Sequence, residues 1–349
     1  MNFYFRADGN AQIGMGHIMR CMTIGAELKK RLSEEDRLVF LCADKDSNNI
    51  VTGKGFEAIT LDTDYKDMES ELPVLKNTLS SGKKDDTVIL VDSYKVTDEY
   101  LMQLAEYGKV YYMDDMQDRK YPAHGIINYN GYADKEYYKE TYASTGTVCY
   151  IGNRFIPIRE EFLNKDYKVA KEISNVLITT GGGDIQNIAG EITEELIRVS
   201  EGKDIRYHII AGHFNPNIDA LEAMAKEKGN IVIHEHVDNM AELMCSCDLA
   251  VSAGGSTMYE LCAIGLPFIC FSYAVNQEQN ADYMDSKAIA DDAGAYHKKA
   301  RLTIENIGRI FKQYMDHYDI RLHHSNMGKE IVDGKGAERI AKVLRGDER

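Results

Sequence analysis

Two short stretches carry residue types that could do chemistry together. They are Gly254-Gly255-Ser256-Thr257 with Glu260, and Gly14-Met15-Gly16-His17. In the first, two glycines remove Cβ atoms where the apolar run Leu249-Ala250-Val251 gives way to a helix, so a bulky group can approach the backbone. Ser256 or Thr257 can cap that helix, and Gly265 with Pro267 ends it. A helix start with free N–H groups, glycines and hydroxyls is an anion site. Glu260, one turn in, is placed to accept hydrogen bonds from a ribose whose phosphates sit at that helix start. The competing reading is a tight turn closed by a capping box, Thr257 with Glu260. In the second stretch, His17 follows a Gly-x-Gly turn after the first strand. Ligands of open α/β sheets bind at that strand edge. An imidazole titrates near pH ~6.5 when unperturbed and suits a general base; the competing reading is a structural cap.

The elements that must position these residues form two strand–loop–helix series. Asn2 to Asp8 reads as a strand, and a helix runs from His17 to about Leu32. Apolar runs at Leu38 to Ala43, Thr87 to Val91, Val110 to Met113 and Ile126-Ile127 follow. Most end in acids, amides or tyrosines, and Asp92, Tyr94 and Asp115 stand out among them. The charged segment Asp62 to Lys84 reads as solvated helix and loop. Tyr150 to Phe162 has little periodicity, which places a domain boundary there: 1–160 and 161–349. A second series opens with Asn175 to Thr180 and the loop Gly181-Gly182-Gly183-Asp184. Strands at Ile205 to Ala211, Ile231 to His234 and Phe268 to Tyr273 come next, then a helix from Ala274. The fold class expected is α/β: two doubly wound Rossmann-like domains facing a cleft.

A hydrophobic content of 44% supports real cores, and a net charge of −15 gives no general pull toward nucleic acid or anionic membrane. Any anion site must therefore be local. The cysteines number 7, without metal-ligand spacing, and read as reduced thiols of a cytoplasmic protein. No signal peptide or membrane span is expected. There is no nicotinamide-type Gly-x-Gly-x-x-Gly, no Gly-x-x-x-x-Gly-Lys phosphate loop and no serine elbow. His234-Glu235-His236 hints only weakly at zinc, so neither metal nor cofactor is expected.

Gly254 to Pro267, with Val237 to Met240 upstream and Asn276 to Asn280 downstream, resembles the nucleotide half of GT-B enzymes. It is similar in particular to the N-acetylglucosaminyltransferase of peptidoglycan synthesis. The first half departs from that transferase. Phe5 to Asp8 with Ile13 to Arg20 resembles instead the UDP-2,4-diacetamido-2,4,6-trideoxy-β-L-altropyranose hydrolase family of pseudaminic acid synthesis. Asp92-Ser93-Tyr94, Asp114-Asp115, Gly152 with Pro157 to Phe162, and Gly181 to Asp184 fit the same family, over residues 3 to about 285.

The resemblance implies a GT-B fold and cleavage of a UDP-sugar by water, with inversion. His17 is then the base, while Asp8, Gly14, Gly16, Arg20, Tyr94, Asp115, Asn276 and Gln277 surround the sugar. Gly182, Gly183, Val237, Met240, Gly255, Ser256, Thr257 and Glu260 hold UDP. A sugar transferase using the same donor, or a binding module without catalysis, are the alternative readings. The only partner expected is the UDP-sugar, without nucleic acid or membrane, on a protein expected to be a monomer.

Overall fold

A computed structural model describes residues 1–10, 13–80, 82–181, 183–212 and 215–348. The chain divides into two units, Met1–Pro157 with Lys335–Arg349, and Ile158–Gly334.

Unit 1 runs β1 (Asn2–Ala7), α1 (Gly16–Lys29), β2 (Arg37–Cys42), α2 (Lys45–Gly53), β3 (Glu57–Thr60), α3 (Leu72–Leu79) and β4 (Thr87–Asp92). It continues with α4 (Asp98–Leu104), β5 (Lys109–Met113), β6 (Gly125–Asn128), α5 (Lys135–Tyr142) and β7 (Val148–Ile151). Its sheet is parallel, in the order β3-β2-β1-β4-β5-β6-β7. Central strands such as Thr87–Asp92 are buried along their whole length, as expected where helices cover both faces.

Unit 2 runs β8 (Asn175–Thr179), α6 (Ile188–Val199), β9 (Arg206–Ile210), α7 (Ile218–Lys228), β10 (Ile231–His234) and α8 (Met240–Cys245). Then come β11 (Leu249–Ala253), α9 (Thr257–Ile264), β12 (Phe268–Ser272), α10 (Val275–Ser286), β13 (Asp291–Ala295), α11 (Tyr296–Asp316) and α12 (Tyr318–Ile331). Its parallel sheet has the order β10-β9-β8-β11-β12-β13. Both units are therefore doubly wound.

The division lies between Pro157 and Ile158, close to the expected 160/161, but the C-terminal segment departs from the expected division. Helix α13 (Gly336–Arg345), expected in the second domain, packs on α1 of unit 1. It buries Ala337, Ile340, Ala341, Val343 and Leu344 along one face. Its start lies so close to the chain that a Cβ on Gly336 would stand 2.1 Å from the Ile156 carbonyl oxygen. Arg31 pairs with Glu338 at 3.0 Å, and Arg345 donates to the Arg31 carbonyl. No feature of the helix itself names its docking partner, which is why the sequence leaves it with its neighbours in the chain.

One buried ion cluster ties unit 1 together. Arg6 on β1 grips Glu71 through Nε, at 2.7 Å, and Nη2, and reaches Asp8 at 2.5 Å through Nη1. Tyr100 donates to Glu71 at 3.0 Å. Burial works against the Arg6 charge, but Glu71 and Asp8 hold its guanidinium above its ordinary value. Glu71 lies in the segment expected to be solvated and is instead fully buried. Removing one partner leaves an uncompensated buried charge. Glu71→Ala is therefore expected to lower unfolding free energy by about 3–5 kcal/mol. Urea titration checks this, and a loss below about 1 kcal/mol, the range of an exposed pair, would refute it.

Candidate active site

In unit 1, β1 and β4 are neighbours although β2 and β3 intervene in the chain. Strand order reverses between them, and such switch points are where open α/β sheets bind ligands. Ala7 lies in register with Asp92, which sets the loop leading to α1 beside the end of β4. Gly14 takes φ +73, a left-handed conformation that glycine adopts without strain. Gly16 opens α1 and His17 follows it, buried.

Nδ1 of His17 stands 2.6 Å from Oδ1 of Asp92, a carboxylate 1% exposed. An ionised carboxylate only accepts, so this bond requires a proton on Nδ1; in a neutral ring the lone pair would then lie on Nε2. Burial disfavours the charged form of Asp92, yet Arg20 and His17 beside it hold its carboxyl well below the usual range. Arg20 grips both oxygens of Asp92 through Nε and Nη2. Its Nη1 donates to Asp115 at 2.6 Å and to the Tyr129 hydroxyl at 2.7 Å. Tyr94 lies edge-to-face with His17, ring centres 4.5 Å apart, and its phenol donates to Asp115 at 3.0 Å. The cluster thus joins the ends of α1, β4, β5 and β6 at one sheet edge, and its exposed member is Tyr94, at 40%.

Of the residues expected around a sugar, the fold brings Arg20, Tyr94 and Asp115 together with His17. Asp8 has another use. One of its oxygens accepts from Arg6 and the other from the Ala43 backbone N–H at 2.7 Å, and the residue is buried. Asp92 stands out in the sequence as a strand-end acid, but its pairing with His17 has no local signal.

In unit 2, the order reverses between β8 and β11, and a glycine loop follows each. Gly182 lies outside the described residues. Gly183 precedes Asp184, whose carboxylate accepts from the N–H groups of Ile188 at 2.7 Å and Ala189 at 3.0 Å. The chain's own anion thus occupies the start of α6.

Among the described residues, no carboxylate accepts from the N–H groups at the start of α9, and the acid of its first turn, Glu260, is bound elsewhere. Ser256, at its N-cap, makes no side-chain cap bond and is exposed. A Cβ on Gly254 would stand 2.8 Å from the Gln277 carbonyl oxygen, whereas a Cβ on Gly255 would meet nothing within 4 Å. Close approach of α10 therefore requires the first glycine, and the second keeps the surface open. Gln277 accepts from the Tyr273 N–H at 3.1 Å, and Asn280 donates to the Gly254 carbonyl at 3.2 Å. These amides shape the turn. Asn276 is exposed beside them. Val237 and Met240 follow β10, at the sheet's far edge, and α8 packs on α9.

The carboxylate of Glu260 is held by Arg159, whose Nε and Nη2 donate to Oε1 at 3.0 and 2.9 Å. Burial pushes the Glu260 carboxyl up, against the opposing pull of Arg159. Arg159 also pairs with Glu161 at 2.5 Å and lies over the Phe162 ring at 4.6 Å. The sequence marks its segment without giving it a role, since 101 positions separate it from Glu260.

Among the described residues, no group of three or more His, Cys, Asp or Glu side chains is placed to hold a metal ion. His234 bonds to His208 at 3.0 Å, and His236 is exposed beside Asp238. No helix among them is long and apolar enough to cross a membrane.

Residues 167–330 match the model of the glycosyltransferase family 28 C-terminal domain. The chain is 26% identical over 292 residues to an uncharacterized protein of Methanocaldococcus jannaschii, covering 79% of this chain and 57% of that protein's length. It is 26% identical over 290 residues to the UDP-2,4-diacetamido-2,4,6-trideoxy-beta-L-altropyranose hydrolase of Campylobacter jejuni, covering 82% of this chain and 97% of the relative. Among solved structures it superposes on MurG of Acinetobacter baumannii with a TM-score of 0.67, 11% identity and 99% coverage of both chains. The fold is thus that of the GT-B glycosyltransferases, and the chain is similar to a UDP-2,4-diacetamido-2,4,6-trideoxy-β-L-altropyranose hydrolase over most of its length and to the glycosyltransferase family 28 C-terminal domain over residues 167–330.

Proposed function

We propose that the protein hydrolyses a UDP-linked 2,4-diacetamido-2,4,6-trideoxyhexose to UDP and the free sugar, as a step of pseudaminic acid synthesis in the cytoplasm. The observation that carries this reading is the His17–Asp92 pair, Nδ1 to Oδ1 at 2.6 Å; with the ring proton on Nδ1, Nε2 is the acceptor in this scheme. Water attacks the anomeric carbon and gives its proton to Nε2. The carbon–oxygen bond to the diphosphate breaks, and its electron pair leaves with UDP. One base driving one displacement inverts the anomeric centre. The open start of α9, with Gly255, Ser256 and Thr257, takes the growing negative charge of the diphosphate. Glu260 accepts from the ribose hydroxyls, and Val237 to Met240 border the uracil. Tyr94 and Asn276 are the exposed candidates for the sugar.

The direct test is UDP release from UDP-linked diacetamido sugars by purified protein, with and without candidate acceptors. Release with water alone supports hydrolysis. Release only with an acceptor would establish a transferase, the reading favoured by the family 28 match and by the fold shared with MurG.

The nucleotide half has its own check. Glu260→Ala is expected to weaken UDP binding by about 1.5–3 kcal/mol, the range for a hydrogen bond to a charged group. That is roughly a 10- to 100-fold rise in Kd by calorimetry. Unchanged affinity would leave Glu260 only its pairing with Arg159.

A further inference from the structure

Arg20 has little left to offer a ligand. A guanidinium carries five N–H donors in a rigid fork. Nε and Nη2 hold Asp92, Nη1 holds Asp115 and Tyr129, and Nη2 also lies 3.0 Å from Nδ1 of His17. The side chain is 7% exposed. Asp115 is likewise engaged: one oxygen accepts from Arg20 and Tyr94, and the other from Asn130 at 3.3 Å.

The groups around the imidazole and its neighbour Arg20 come from four elements. Its own helix brings Arg20 and Cys21, and the end of β4 brings Asp92 and Tyr94. The β5 loop brings Asp115, and the β6 loop brings Tyr129 and Tyr132. Burial pushes the Cys21 thiol and the Tyr129 and Tyr132 phenols up, so these stay neutral. The fixed charges are then one guanidinium and two carboxylates.

We infer that Arg20 and Asp115 are positioning residues of the base rather than sugar ligands. Arg20 fixes the plane and charge of Asp92 against Nδ1, while Asp115 anchors Arg20 and Tyr94. The two carry opposite charges, so they bias proton uptake by His17 in opposite directions. This deepens the proposed role of His17 as base, but it can be read without turnover.

The test follows the ring signals of His17 through a pH titration by NMR in the free, histidine-labelled protein, with His17→Asn identifying the resonance. An opposite charge within about 4–6 Å moves a midpoint by about 1–3 units. Asp115→Asn removes a negative charge, so the midpoint and the acidic limb of the rate profile should fall by roughly one unit. Arg20→Gln removes the positive charge, so both should rise by roughly one unit. Arg20→Lys keeps the charge but not the fork, so it should titrate nearly as the native protein does, with a lowered kcat and unchanged UDP affinity.

Shifts in the same direction, or none, would overturn the inference. So would an Arg20→Lys protein that only raises KM, since that marks a substrate ligand. If Arg20→Gln does not fold, Asp115→Asn decides alone by the sign of its shift. Opposite shifts in a protein that hydrolyses no UDP-sugar would uphold the inference and refute the proposed function.

Discussion

Replacing His17 by asparagine lowers turnover by about 10²–10⁴-fold and leaves UDP affinity nearly unchanged. The size is that of losing a general base. Asparagine is close in volume and can still donate to Asp92 from its amide, so the contact at 2.6 Å has a substitute while the proton acceptor is gone. UDP affinity stays because the open helix start and Glu260 belong to unit 2, whereas His17 belongs to unit 1. Single-turnover rates and calorimetry on the same preparation separate the two quantities. Near-native turnover would move the base to another group. A parallel collapse of UDP binding would make His17 a structural residue of the glycine turn.

Asp92→Asn is expected to cost a comparable factor, up to about 10⁴ in kcat, by a different route. The amide presents Nδ2–H as readily as Oδ1. Its NH2 can donate to Nδ1 of His17, which forces the ring proton onto Nε2 and removes the acceptor. Arg20 would also lose the charged partner of its fork. The diagnostic comparison is Asp92→Glu. It keeps the carboxylate and should recover part of the rate, which a purely structural loss would not predict. Full activity in Asp92→Asn would show that the tautomer of His17 does not matter, and the pairing would then be incidental to chemistry.

The central strands were legible because each is a run of apolar residues closed by a polar one. The strands β3, β7 and β13 carry no such run, and all three lie at sheet edges. Glu57–Thr60 is only partly buried, and Asp291–Ala295 has the sequence Asp-Asp-Ala-Gly-Ala. A strand covered on one side needs no continuous apolar run, so its pattern fades. Glu71 shows the complementary failure. A glutamate in a charged segment reads as solvated unless its partner is known, and Arg6 lies 65 positions away.

By itself the sequence determined the alternation of strands and helices, and with it two doubly wound units. It also determined which loops carry glycine, histidine, hydroxyl and acid, because turn chemistry and helix starts depend on neighbours within a few positions. Tertiary structure alone decided which of these side chains meet. It joined His17 to Asp92 and Arg20 to Asp115, used Asp8 to hold Arg6, tied Glu260 to Arg159 and returned α13 to unit 1. The physical reason is that a charged side chain in a loop can remain in water or pair with any opposite charge. Only strand order and register set which partner stands within reach once water is excluded.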